Sequence, residues 1–130
     1  MVKYINVKSR SRNEFIDITE MVQDAVKDSG VKNGICYLYV PHTTAGITIN
    51  EGADPSVQRD IQNALSRLIP HEMNYAHREG NADAHIKATI VGSSVNVIID
   101  DGKIILGTWQ AVFFCDFDGP RHRRIAIKFI

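Results

Sequence analysis

Between Tyr39 and Pro55 the chain reads YVPHTTAGITINEGADP, an apolar, β-favouring stretch interrupted by His42, Thr43 and Thr44 and finished by Asn50, Glu51 and Asp54. A core strand needs none of these groups, whereas proton transfer, metal ligation and phosphate binding all use them. Three further polar groups stand out: His77 with Asn74 and Glu79; His85 with Lys87; and Asp116, Asp118, Arg121, His122, Arg123 and Arg124. Each lies beside a turn or at the end of a regular element, and such ends can converge on one pocket while the elements behind hold them rigid. In DFDGPRHRR, Gly119 and Pro120 set a tight bend beside guanidinium forks that match carboxylate or phosphate oxygens, so an anionic, phosphorylated ligand is expected. His42, His77 and His85 with the carboxylates could ligate Zn²⁺ or Mn²⁺, or form a proton-transfer set, although no HExxH or HxH spacing ties them to one element.

Each residue also has an ordinary role. Asp54 before Pro55 is a helix cap, and Thr43, Thr44 and Thr48 suit a strand by propensity alone. His71, after the helix-ending Pro70, reads as exposed or as a partner of a helix C-terminus. Any one of His42, His77 or His85 could simply bond a backbone carbonyl, and the arginines near the C-terminus could be the solvated face of an edge strand.

The elements that must position these groups follow from periodicity. KYINVKS alternates, turns through RSRN and returns as EFID, which predicts a β-hairpin. In DITEMVQDAVKDSG, Ile18, Met21, Val22, Ala25 and Val26 share a helical face, Asp17 and Glu20 have capping-box spacing, and Gly30 suits a C-cap. GICYLYV and AGITIN read as strands, the first apolar on both faces and therefore central. Val57, Ile61, Leu65 and Leu68 define a second helix from Pro55 towards Pro70. HEMNYAHREGNAD is a long functional loop. AHIKATIVG fits a strand or a helix, and its alanines, with Asp83 as cap and Gly92 as stop, favour the helix. SSVNVII, a DDGK turn, IILGTWQAVFFCDF, a DGPR turn and HRRIAIKFI complete the chain as β-structure. The prediction is an α+β protein whose antiparallel strands form two packed sheets, with helices outside.

With 130 residues, the chain fits a single domain spanning 1–130 and is long enough to bury a sizeable core. No stretch approaches the roughly 20 apolar residues of a membrane span and the N-terminus lacks a secretory pattern, so a cytoplasmic protein is expected. Equal numbers of acidic and basic residues, 15 each, give no global field for nucleic acid or an anionic membrane. Cys36 and Cys115 sit in apolar runs and are expected as reduced core residues.

The segments HTTAGITINEGADPSV, NYAHREGNADAHIKATIVGSS and GKIILGTWQAVFFCDFDGPR, in that order, resemble the YjbQ-like family, which is associated with a secondary thiamine phosphate synthase activity. The most specific block runs from Ser94 through IIDDGKIILGTWQAV, with Gly102, Gly107, Thr108, Trp109 and Gln110 in the family's pattern. The resemblance implies a sheet sandwich with helices, a homotrimer with pockets near subunit contacts, and a site among His42, Thr43, Thr44, Glu51, Asp54, His77, Asn81, His85, Lys87, Gln110 and Arg121. The implied reaction joins hydroxymethylpyrimidine diphosphate to thiazole phosphate and expels pyrophosphate. On this reading Arg121 and Lys87, with Mg²⁺ on Glu51 or Asp54, take the diphosphate, while His42, His77 and His85 bind a metal such as Zn²⁺ or transfer protons. Trp109, Phe113 and Phe114 are expected in a strand too apolar for free exposure. The rival readings are a metal-dependent hydrolase of a small phosphorylated metabolite and a non-catalytic trimeric binder, with RNA the least favoured ligand.

Overall fold

The computed structural model describes residues 2–130. In chain order the elements are β1 (Lys3–Lys8), β2 (Glu14–Asp17), α1 (Thr19–Ser29), β3 (Gly34–Tyr39), β4 (Ala45–Glu51), α2 (Pro55–Leu68), α3 (Ala82–Val91), β5 (Ser94–Asp100), β6 (Lys103–Ile104), β7 (Gln110–Asp116) and β8 (His122–Phe129). They form an antiparallel five-stranded sheet, β1-β8-β3-β5-β6, and an antiparallel three-stranded sheet, β2-β7-β4. The α+β class expected from periodicity is the one observed.

Two connections differ from the sequence reading in a way that builds the site. β1 and β2 are not a hairpin: β1 pairs with β8 and β2 with β7, in different sheets. The chain leaves β1 at Ser9, whose buried hydroxyl donates to Asp116 Oδ2 at 2.7 Å, and this anchor carries residues 9–13 across to the second sheet. Likewise β7 and β8 do not pair across the DGPR bend, because β8 inserts between β1 and β3. Both crossings therefore occur at the same end of the molecule. The DDGK turn is as expected, with Asp101 and Gly102 at positive φ joining β5 to β6. The strand expected from Ile104 onward stops there and resumes at Gln110.

The inner faces of both sheets share one cluster. Val7, Cys36, Leu38, Val97, Ile99, Ile125 and Ile127 come from the larger sheet, Ala45, Ile47, Val112 and Phe114 from the smaller, and Ile18, Val22 and Val26 from the α1 end. Each large side chain sealed here contributes about 1.5–3 kcal/mol. β3 is central, as expected, but buried on its inner face only; Tyr37 and Tyr39 lie on the exposed face. α1 ends at Gly30 in the left-handed conformation, and Asp17 Oδ1 accepts from the Thr19 backbone N–H and hydroxyl before its first turn.

The other face of the smaller sheet packs Ala111, Phe113, Cys115 and Phe117 against Ala84 and Ala88 of α3. Small residues let α3 approach β4 closely: a Cβ on Gly46 would meet the Gly92 carbonyl oxygen at 2.6 Å. Asp54 caps α2 by accepting from the Ser56 N–H, with Pro55 in the first turn. In α3, by contrast, Asp83 is not the cap. It lies inside the first turn with its carboxylate turned to Arg12, and Asn81 precedes the helix. Phe113 and Phe114 are buried, but Trp109 is 64% exposed, because it precedes β7 in a turn closed by the Gln110 side chain on the Gly107 N–H. Cys36 and Cys115 are free and buried as expected; burial pushes the Cys36 thiol up to about 11 and raises Cys115 as well. Among the described residues, no helix is long and apolar enough to cross a membrane.

Candidate functional site

The start of β4, the end of β7, the crossing after β1 and the N-terminus of α3 meet at one end of the smaller sheet. Ala45 and Asp116 are paired across β4 and β7, and the Phe117 N–H donates to the Thr44 carbonyl at 3.1 Å, so the strand ladder delivers HTT and DFDG side by side. At the centre is Asp116, fully buried. It accepts from the Ser9 hydroxyl at 2.7 Å, from Arg123 Nε at 3.0 Å and Nη2 at 2.8 Å, and from the Asp118 N–H at 2.9 Å. Burial pushes its carboxyl up, but the bonds from Arg123, Ser9 and Asp118 outweigh that and hold it below the ordinary range. Arg123 Nη2 also donates to Thr44 Oγ1 at 2.8 Å, so the guanidinium locks the threonine rotamer.

Asp118 organises the next layer outward in the same way. Its carboxylate accepts from Asn81 Nδ2 at 2.9 Å and from Arg121 Nη2 at 3.2 Å, and Arg12 Nη1 approaches at 3.6 Å. Arg121 Nε donates to the Asp118 carbonyl at 2.8 Å. Arg12 reaches the other way to Asp83 at 2.9 Å, and Lys87 lies 4.0 Å from the second Asp83 oxygen. Four cations, Arg12, Lys87, Arg121 and Arg123, thus face three carboxylates, Asp83, Asp116 and Asp118. Of the four cations only Arg121 has a side chain more than half exposed, at 55%. The positive excess of this network therefore surfaces at the cleft mouth.

The cleft, of about 380 Å³, is lined by His42, Thr43, Thr44, Asn81, His85 and Arg121, with Pro41, Glu79, Asp118 and Arg123. His42 Nε2 accepts from the Arg124 backbone N–H at 3.1 Å. Burial and the neighbouring Arg123 hold its pKa below the ordinary value, so the neutral ring carries its proton on Nδ1. His85 stands at a junction, lining this cleft, a groove of about 480 Å³ shared with His42 and Thr43, and a third chamber of about 350 Å³ shared with His77. The His77 and His85 rings meet edge to face at 5.2 Å, and His77 Nε2 lies 3.8 Å from Glu79.

The residues expected to act together are thus divided. His42, Thr43, Thr44, Asn81, His85 and Arg121 share one cleft, and His77 lies next to it through His85. Glu51, Asp54 and Gln110 do not join them. Glu51 pairs with Gln110 at the far end of β4, six residues or about 20 Å from Ala45, and Asp54 caps α2 beyond it. Strand direction is the reason, because a seven-residue strand separates the two halves of one motif. Lys87 is also not a cleft residue. Its side chain is buried and Nζ donates to Asn13 and Ser66 beneath α3, with the Phe117 ring 5.9 Å away; burial lowers its pKa, opposed by Asp83.

The expected divalent metal finds no ready set of ligands within one chain. Among the described residues, no group of three or more His, Cys, Asp or Glu is placed to hold a metal ion. His42, moreover, accepts a backbone N–H through Nε2, whereas a ligating histidine donates from its other nitrogen. Neither Ser9 nor Arg12 is among the residues expected at the site. Their signal is contact at long range, over 107 residues for Ser9 to Asp116, and no local pattern announces it.

The fold as a whole recurs in solved structures. A profile of the family described as UPF0047 protein YjbQ-like matches residues 3–130. A UPF0047 protein of Methanocaldococcus jannaschii is 56% identical over 130 residues, covering 100% of this chain and 94% of the relative. The Bacillus subtilis UPF0047 protein YugU is 47% identical, covering 98% of both. A crystal structure of an uncharacterised YjbQ/UPF0047 protein from Clostridium acetobutylicum superposes with a TM-score of 0.96 at 50% identity, over 98% of this chain and 99% of that one. A YjbQ-like protein of unknown function from Sulfolobus solfataricus superposes with a TM-score of 0.93 at 34% identity, over 99% and 95%. By match over nearly its whole length, the chain belongs to the UPF0047, YjbQ-like family.

Proposed function

We propose that this protein binds a small phosphate-bearing metabolite in the His42–Arg121 cleft and acts on it by proton transfer. The observation that carries the proposal is the Arg121 guanidinium, half out in solvent at the mouth of a network whose other cations are buried or, for Arg12, at most a third exposed. Asp118 fixes it from two sides, leaving its remaining N–H donors for an anion without the entropy cost of ordering a free side chain. His42 supplies an Nδ1–H for a second oxygen, since its Nε2 is occupied by the Arg124 N–H. His85, half-buried and, among the described residues, bonded to no polar group through its ring, is the group that gives or takes a proton as the phosphate bond to the metabolite changes.

The reaction that the resemblance suggests, diphosphate departure during thiamine phosphate formation, has needs that this set can meet. Charge grows on the leaving oxygens as the carbon–oxygen bond breaks, and Arg121 and His42, which both line the cleft, would stabilise it. Assembly as a trimer built from two-sheet sandwiches belongs to the same proposal and fits the exposure of Trp109, Ile98 and Tyr39. The test is calorimetric titration with inorganic phosphate and pyrophosphate, followed by pyrophosphate release from the pyrimidine diphosphate with thiazole phosphate. Binding that Arg121→Ala weakens tenfold or more supports the anion site, and turnover that His85→Ala removes supports catalysis. Binding with no turnover of any phosphate ester leaves a metabolite-binding protein.

A further inference from the structure

Beside the polar cleft, the third chamber is of opposite character. Its walls are the Tyr75 ring, Ala76, Ala82 and Ile86, and it meets the cleft at His85, with His77 on the far side of that ring. The polar atom that Tyr75 could offer is spent, because its hydroxyl donates to the Pro70 carbonyl. His77 Nε2 is drawn towards Glu79. What faces the space is therefore carbon, apart from the two imidazoles. Ile86, at the start of the second turn of α3, is 39% exposed, as is Ile90 one turn on at 60%, so α3 turns an aliphatic edge outward while Ala82, Asp83, Ala84, Lys87 and Ala88 are buried. An exposed aliphatic wall next to an anion-binding mouth is the pattern of a site for a ligand with two unlike ends.

Resting on the anion reading above, we infer that the ligand is bipartite: a phosphate held by Arg121 and His42, joined across His85 to an apolar ring or branched alkyl group seated between Tyr75 and Ile86. A base with several exocyclic donors and acceptors would leave them unpaired against Ala76, Ala82 and Ile86, which disfavours nucleotides in this chamber. The junction gives His85 its place, with the bond between phosphate and apolar group lying against its ring. Tyr75 and Ile86 are thereby specificity-determining residues, acting on which phosphate ester binds rather than on whether phosphate binds.

The experiment compares inorganic phosphate, methyl phosphate, benzyl phosphate and cytidine monophosphate by calorimetry on the intact chain and on Ile86→Gln. This exposed substitution keeps helix propensity and replaces the apolar wall with an amide. Benzyl phosphate should bind about tenfold or more tighter than methyl phosphate, the scale set by desolvating one ring, and cytidine monophosphate should gain no such advantage. Ile86→Gln should remove most of the benzyl advantage and leave inorganic and methyl phosphate unchanged. Equal affinities for benzyl and methyl phosphate would overturn the bipartite ligand while leaving the anion site standing. Tightest binding by cytidine monophosphate would overturn it in favour of a polar-ring site. Failure of all four phosphates to bind would remove the anion site, and the bipartite ligand with it.

Discussion

Replacing Arg123 by methionine should be the most damaging single change near the cleft that leaves every apolar core residue in place. Methionine keeps the apolar portion of the stem but withdraws two hydrogen bonds from Asp116 and one from Thr44. Asp116 remains fully buried, with only the Ser9 hydroxyl and the Asp118 N–H to face its charge. Breaking a buried pair in this way costs about 3–5 kcal/mol. For a chain of 130 residues, unfolding entropy near the midpoint makes each kcal/mol worth about 4 °C, so the melting temperature should fall by about 11–18 °C at pH 7. Acid should narrow the gap. In the parent protein the Asp116 carboxyl is held below its ordinary value of 3.8, so its stabilising effect is present above that value and is lost as the pH drops through the lower folded one. In Arg123→Met the same carboxyl, desolvated and unpaired, is pushed up, so protonation relieves it and the variant gains relative to the parent on acidification. Calorimetric melting from pH 7 to pH 4, with Asp116→Asn and the double variant completing a cycle, measures this. A single-variant loss below about 1 kcal/mol, or strict additivity in the cycle, would refute a buried, mutually dependent pair.

Other outcomes follow from the same geometry. His42 should titrate below the ordinary histidine value of 6.5 and show the Nδ1–H tautomer by nitrogen chemical shifts, because burial and Arg123 disfavour its cation; stability should accordingly decline as the pH falls below 6.5 and level off beneath the folded value. Gly46→Ala should destabilise by about 1–3 kcal/mol in urea and displace α3, since the new Cβ would press on the Gly92 carbonyl. Trp109→Ala should change the stability of an isolated chain by less than about 1 kcal/mol, as the ring is mostly solvated; a larger fall that depends on protein concentration would place the ring in a contact between copies. Arg121→Ala should leave the melting temperature within a few degrees of the parent, because its pair with Asp118 is exposed on the arginine side, while weakening phosphate binding at least tenfold.

What could be read from the sequence was whatever is local. The 3.6-residue face of Ile18, Val22 and Val26, the Asp54–Pro55 start of α2, the Gly30 stop and the Asp101–Gly102 turn all rest on interactions within a few residues, and each is found where its signal lay. The strand partners were not legible, because alternation says which face a residue takes and nothing about which strand lies beside it. EFID was therefore assigned to its nearest neighbour, whereas Phe15 gains more by packing on Phe113 and Phe117 in the other sheet, with ring centroids 6.1 and 6.3 Å away. Asp83 was misread for a related reason. A carboxylate in a first helical turn has a local partner in the helix N–H groups, and only the fold supplies Arg12, 71 residues earlier, as a stronger one.

The same distinction explains how the HTT-to-NEGAD motif came apart. Along a strand, residues close in sequence are carried steadily away from one another, so polar groups flanking a seven-residue β4 cannot share a ligand within one chain. The cleft instead gathers groups distant in sequence, His42, Asn81, His85, Asp118 and Arg121, with Ser9 and Arg12 in the network that holds them, because both sheet crossings end there. Two sets of polar residues at opposite ends of one strand imply either two ligands or one site completed by a second copy. These alternatives differ in a measurable way. If one chain suffices for the phosphate site, Gln110→Ala and Glu51→Gln should leave phosphate affinity within twofold of the parent at every protein concentration. If a second copy lends its far end to the cleft, both variants should weaken binding, and dilution below the assembly threshold should weaken it in the parent as well.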